Sequence, residues 1–238
     1  MKEKTLGILG GMGPLASTGF LKTIYEQNLG SGPEQSYPDV ILHSISSVPD
    51  RSASFAGNRE DELFERLYKN VKTLNDTNVS KIVICCITSH YYLPRLPPEI
   101  SARIISLIDV IIGSLMATKR PALLLATSGT YQKELFFTPA HRKAKEYILI
   151  PDDTDKARIH KIIYDKLKPG KNTASVYPEI KELLRKYGTD TFIAGCTEFH
   201  NLVAYLLSQG INDISFIDPL LIIAKNLKAI MGDNFKQS

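Results

Sequence analysis

Short apolar, β-branched runs alternate along the chain with longer segments of helical spacing. Residues 5–9, 40–45, 81–85, 122–126, 191–194 and 214–217 read as buried strands, because each is a continuous apolar run too short for a helix. Leu63, Phe64, Leu67, Val71 and Leu74 recur three and four apart and predict a helix over 62–74. Ile180, Leu183, Leu184 and Tyr187 do the same over 175–187, with Gly188 placed to end it. A third apolar stripe covers 199–207. Strands alternating with helices predict βαβ units and a parallel sheet covered on both faces.

The order of elements recurs. In each half a helix leads to a strand, the strand to a cysteine (Cys86, then Cys196), and the cysteine to a helical pattern. An earlier strand–turn also recurs, at 7–14 and at 123–129. The pattern predicts two pseudo-symmetric three-layer α/β domains with mainly parallel sheets, facing each other across a cleft. One comprises 1–99 plus 214–238 and carries Cys86; the other comprises 100–213 and carries Cys196. Ligands of open parallel sheets bind beyond the carboxyl ends of the strands, where both cysteines fall.

Composition narrows the function. Of 238 residues 43% are hydrophobic and 23% charged, enough for a sizeable core, and the net charge of +4 comes from scattered residues. That mild, dispersed charge gives no reason to expect nucleic acid. No apolar run approaches the roughly 20 residues of a membrane span, and residues 1–13 lack a secretory apolar stretch and cleavage site. The cysteines, two of them adjacent, read as free thiols of a cytoplasmic protein.

Two thiols in matching contexts suit one chemistry. Inverting a carbon centre requires a proton to leave one face and another to reach the opposite face, so two acid–base groups solve what one rigid base cannot. A thiol titrates near neutrality and is lowered further at a helix N-terminus. Thr88 and Ser89 after Cys86, and Thr197 and Glu198 after Cys196, are good first-turn or capping residues. Cys85, adjacent to Cys86 on a strand, should point the other way into the core. A second reading pairs Cys86 with His90 and Cys196 with His200, each four apart, as a Cys₂His₂ zinc site. It lacks the short knuckles of strong zinc motifs, and no metal is expected. Gly10, Gly11 and Gly13 are read as a tight turn without dinucleotide spacing. Tyr91 and Tyr92 are read as packing residues, Lys166 and Lys168 as a solvated helix face, and His200 as a helix-surface residue.

These residues also resemble the aspartate racemase branch of the aspartate/glutamate racemase superfamily. The opening Gly7-Ile-Leu-Gly-Gly-Met-Gly-Pro-Leu-Ala-Ser17, Tyr37-Pro38 leading to Pro49-Asp50-Arg51, Cys86-Ile-Thr-Ser-His90 and Gly195-Cys-Thr-Glu198 are similar to its signatures in order, as are Ile162-Ile-Tyr-Asp165 with Gly170 and the late Ile217-Asp218. The resemblance implies racemisation of aspartate or a related acidic amino acid without pyridoxal phosphate or any other cofactor, by Cys86 and Cys196, in a homodimer. It implies that Arg51 holds a substrate carboxylate and that Gly11, Met12 and Thr127 line the pocket. Thr88, Thr197 and Glu198 would lie against the substrate, and Lys166 would select a second carboxylate. Ile87 departs from the branch, which carries Asn there. The departure predicts a pocket with more apolar bulk and keeps open a binding protein without turnover. A superfamily isomerase or decarboxylase acting next to a carboxylate is the other alternative.

Overall fold

The computed structural model describes residues 4–28 and 34–232. Residues 1–3 and 233–238, included above in the first domain, lie outside the described residues. The first half runs β1 (Thr5–Gly10), α1 (Pro14–Asn28), β2 (Asp39–Ser44), α2 (Arg51–Ala56), α3 (Glu60–Asp76), β3 (Lys81–Ile84), a 3₁₀ segment at Thr88–Arg95 and α4 (Pro98–Ser101). It is followed by α5 (Leu107–Thr118), β4 (Ala122–Ala126), α6 (Ser128–Gln132), a 3₁₀ segment at Pro139–Tyr147, β5 (Ile148–Leu149) and α7 (Asp153–Lys161). A π-helical turn, Ile162–Leu167, then leads to α8 (Thr173–Lys186), β6 (Thr191–Gly195), α9 (Phe199–Ser208), β7 (Ser215–Ile217), α10 (Pro219–Lys225) and α11 (Leu227–Met231).

All strand pairs are parallel. One sheet has the order β2-β1-β3 and the other β5-β4-β6-β7. Counted within each half, both sheets order their strands second, first, third, so the internal echo has a topological basis. The fourth position is β7 in the second sheet and a single bridge, Ile82 to Ile104, in the first. Two pairings therefore cross the expected division into 1–99 plus 214–238 and 100–213. Ile104 pairs with the first sheet, and β7 pairs with β6 in the second. Beyond β7 the chain returns, because α10 packs on α1 and α5. β5, two residues long, is the strand that periodicity could not reveal.

Side-chain alternation builds three apolar clusters. Leu6, Ile8, Val83 and Cys85 of the first sheet share a cluster with Leu124, Ala126 and Ile193 of the second. The opposite faces hold Leu9, Ile82, Ile84 and Cys86 against α3, and Leu123, Leu125, Phe192, Ala194 and Cys196 against α8 and α9. This is the period of two expected of strands buried on both faces. It directs Cys85 into the shared core and Cys86 the other way. α3 starts with Glu60, Asp61 and Glu62, suited to its N-terminal dipole, and buries Leu63, Leu67, Val71 and Leu74. Gly188 follows α8 with φ +65°, where glycine ends a helix at least cost. No helix among the described residues is long and apolar enough to cross a membrane.

Candidate active site

Four strands, two from each sheet, end at one cleft. β1 delivers Gly11 and Met12, β3 delivers Cys86, β4 delivers Thr127 and β6 delivers Cys196. The cleft is narrow and is lined by Met12, Arg51, Ser52, Cys86, Ile87, Thr88, Thr127, Tyr164, Lys168, Cys196, Thr197 and Glu198. Nine of the eleven residues singled out from sequence are in that lining, both cysteines included. Gly11 stands directly behind it, at φ +87°, pressed against the backbone of Ile45.

Lys166 is elsewhere: its Nζ pairs with Glu179 Oε1 at 2.5 Å on the outer surface. Lys168 takes the place on the cleft that the sequence reading gave to Lys166. The reason is the π turn, whose bonds reach one residue further than those of an α-helix: Lys168 N–H donates to Ile163 O and Lys171 N–H to Lys166 O. The widened turn brings Tyr164 and Lys168 to the cleft. Lys168 Nζ lies 3.0 Å from Asp50 Oδ2 and 3.5 Å from the Tyr164 ring centre. Tyr164 donates its hydroxyl to the same carboxylate. Ser52, Tyr164 and Asp50 were missed from sequence; the i, i+4 spacing of Tyr164 and Lys168 was the available signal.

Asp50 caps α2, accepting from Ala53 N–H at 2.9 Å. Burial alone would raise its pKa, but that N–H, Lys168, Tyr164 and Arg51 outweigh burial and lower it to about 2. Arg51 is buried and donates to Pro49 O and Met12 O. Burial opposes its charge, yet Cys86, Asp50 and Glu198 around it hold the guanidinium protonated. Two of its five donors are so used, leaving others for an anion in the cleft.

The two cysteines sit in different fields. Cys196 donates its S–H to Glu198 Oε2 at 2.8 Å, and burial, then Glu198, push its pKa well above the usual thiol value. The expected lowering by a helix N-terminus is thus reversed there: Glu198 brings a negative charge where the first turn would supply a positive one. Glu198 occupies the N-cap position of α9 without a side-chain capping bond. Thr197 Oγ1 donates to Cys85 O at 3.3 Å. Glu198 Oε1 is buried without a partner and lies against Gly13, where an added Cβ would be 2.2 Å away. After Cys86 the chain forms a 3₁₀ segment instead of an α-helix, again without a side-chain cap. Thr88 Oγ1 joins Thr127 and Thr130 in a hydroxyl cluster, at 3.2 and 2.9 Å. Ile87 is 1% exposed and belongs to the core cluster shared by the sheets, so its side chain is mainly a packing element of the cleft wall.

The two histidines are occupied. His90 Nε2 accepts from Leu107 N–H at 2.9 Å, which fixes Nδ1 as the donor to Cys86 O, also at 2.9 Å. His200 is not on the surface: it is 1% exposed, with Nδ1 2.6 Å from Asp218 Oδ2 and Nε2 3.0 Å from Thr23 Oγ1. Both rings thus spend their nitrogens away from the thiols. Tyr91 and Tyr92 pack with Phe55 and Phe64, as expected of packing residues.

Burial lowers the His90 pKa from 6.5 to about 4. Between those values the unfolded chain binds the extra proton, so stability falls as pH drops through that window and levels off below it. The shift corresponds to about 3 kcal/mol at 1.36 kcal/mol per pH unit. Asp50, lowered, loses its own contribution only from about pH 4 down to about 2. His200, raised by Asp218 against the effect of burial, loses its contribution on the alkaline side and adds nothing to the acid slope. Urea unfolding of the parent between pH 7 and 4 should show the drop, and His90→Asn should flatten it. An equal drop in the variant would assign the acid slope to other groups.

The Asp/Glu/Hydantoin racemase family matches residues 9–227. The chain belongs to that family. As a member of the Asp/Glu/Hydantoin racemase family it is an enzyme of the isomerase class, and its elements agree with solved relatives. It superposes on the aspartate racemase of Picrophilus torridus with a TM-score of 0.75 at 20% identity, covering 96% of this chain and 95% of that one. The glutamate racemase of Francisella tularensis, solved with D-glutamate, gives 0.66 at 17% identity, covering 100% and 85%. The broad specificity amino-acid racemase RacX of Bacillus subtilis is 22% identical over 228 residues, 93% of this chain and 95% of that protein. The family's fold, two parallel α/β halves, is the fold of this chain.

Proposed function

We propose that this racemase inverts the α-carbon of an amino acid without a cofactor, with Cys86 and Cys196 as the two acid–base groups. The observation that carries the reading is the meeting of the two thiols, each after the third strand of its own sheet, in one cleft with Arg51. Arg51 offers its remaining N–H groups to the α-carboxylate, and Thr88, Thr127 and Thr197 offer hydroxyls around it. Cys196 begins protonated, held so by burial and Glu198. Arg51 supplies positive charge beside Cys86. In the starting direction the Cys86 thiolate takes the α-proton and becomes a thiol. The electron pair left on carbon delocalises into the carboxylate beside Arg51. Cys196 then delivers its proton to the opposite face and becomes the thiolate. The reverse direction exchanges these roles.

An acidic amino acid, aspartate first, suits a cleft whose second cation is Lys168. Replacing Lys168 by Ala removes a hydrogen bond to a charged group, about 1.5–3 kcal/mol or roughly 10–150-fold in kcat/KM on an acidic substrate. Lys166→Ala should change it less than about twofold, since Lys166 is bound to Glu179 on the outside. The reverse ranking would return the role to Lys166. Ile87 both lines the cleft and packs into the core shared by the sheets; a binding protein without turnover, the alternative reading, would exchange no α-proton. Cytoplasmic residence and a homodimer are further parts of the proposal; sedimentation of the purified chain tests the second. The reaction itself is tested by loss of the α-proton in deuterium oxide.

A further inference from the structure

Each cleft cysteine is followed four residues later by a buried histidine, and the two histidines do different things. His90 stays local, joining Cys86 O to the start of α5. His200 ties three helices. From α9 it reaches Asp218, which caps α10 by accepting from Leu220 N–H at 3.0 Å, and Thr23 in the middle of α1. His200 and Asp218 have side chains only 1% exposed, and Thr23 is buried. A buried ion pair is a poor source of net stability, since apolar residues of the same volume often do as well; what it supplies is one defined arrangement.

That arrangement bears on the second thiol. α1 begins directly after the Gly11–Gly13 turn of the first half, and α9 begins three residues after Cys196 of the second. α1 and the turn before it touch the start of α9 and its N-cap at three points. Gly13 lies against Glu198 Oε1, Gly19 against Asn201 Oδ1, where an added Cβ would be 2.9 Å away, and Thr23 bonds His200. Glu198, the partner in the first of these contacts, is the acceptor of the Cys196 S–H.

We infer that His200 is a positioning residue, which through Thr23 and Asp218 fixes the first turn of α9 against α1 and so holds Glu198 on Cys196. The inference rests on the two-thiol reading for its catalytic meaning, but its test does not need turnover. Thr23→Val keeps shape and removes the hydroxyl; Thr23→Ser keeps the hydroxyl. Each protein, folded, is treated with iodoacetamide, and alkylation of Cys196 and Cys86 is followed by peptide mass spectrometry. Loosening the Glu198 contact frees the Cys196 thiol. A lost hydrogen bond of about 0.5–1.5 kcal/mol corresponds to a rise of roughly 2–12-fold in the Cys196:Cys86 rate ratio in Thr23→Val. Thr23→Ser should keep the parental ratio. If Thr23→Val does not fold, Asp218→Asn carries the same expectation. A ratio unchanged in the valine variant, or shifted as much by serine as by valine, overturns the inference. Absence of α-proton exchange in the parent would instead overturn the racemase reading and leave this result standing.

Discussion

Replacing Cys86 or Cys196 by Ala should abolish racemisation. In the proposed two-thiol mechanism each thiol supplies one proton-transfer step, worth roughly 10²–10⁴-fold. The two losses differ in kind. With Cys196 gone, Cys86 can still remove a proton and return one from solvent to the same face, so one enantiomer exchanges without inverting. With Cys86 gone, the same holds for the other enantiomer. Cys85→Ala is the control: Cys85 is fully buried in the core shared by the sheets, and burial, ahead of nearby charges, raises its pKa well above the usual value. Its replacement should lower stability and leave turnover of the folded protein near the parental rate. Circular dichroism of the single enantiomers measures racemisation by all three variants, and proton NMR in deuterium oxide the exchange without inversion. Racemisation by Cys86→Ala at the parental rate would end the two-thiol account.

Gly11→Ala should be among the most destabilising single substitutions in the chain. Gly11 has φ +87°, and an added Cβ would stand 2.4 Å from the Ile45 backbone N and C. The left-handed conformation costs a residue with a Cβ about 1–2 kcal/mol, and forcing atoms into packed surroundings about 1–3 more. Backbone cannot rotate away as a side-chain tip can. Gly188, with φ +65° and nothing within 4 Å of an added Cβ, isolates the first cost and should lose only about 1–2 kcal/mol as Ala. Urea unfolding of both variants gives the comparison. Equal losses would mean that the Ile45 contact relaxes freely and that the turn behind the cleft is not rigid.

What the sequence disclosed, and what it did not, divides on physical lines. Strands of the two sheets were legible because they are buried on both faces and read as continuous apolar runs, and the two cysteines were legible because they end matching elements. β5 was too short for any period. The exchange of Lys166 for Lys168 was hidden because a π turn breaks the regular spacing from which a helix face is inferred. His200 was read as exposed because a histidine on an amphipathic helix usually is; nothing local announces that Thr23 and Asp218, distant in sequence, meet it. Glu198 was read by its place after a cysteine as a capping residue, whereas its carboxylate turns back to the thiol. In each case the missed feature depends on contacts between segments, while the features read correctly are properties of one segment.

In the proposed reaction this cleft labilises the α-proton of an amino acid through its two thiols. Proton NMR of L- and D-amino acids, aspartate first, incubated with the protein in deuterium oxide tests it most directly. The account predicts loss of the α-proton signal from both enantiomers of at least one amino acid, and no loss when Cys86 and Cys196 are both replaced by Ala. An unchanged signal across the panel with the parental protein, or equal loss with the double variant, would contradict it.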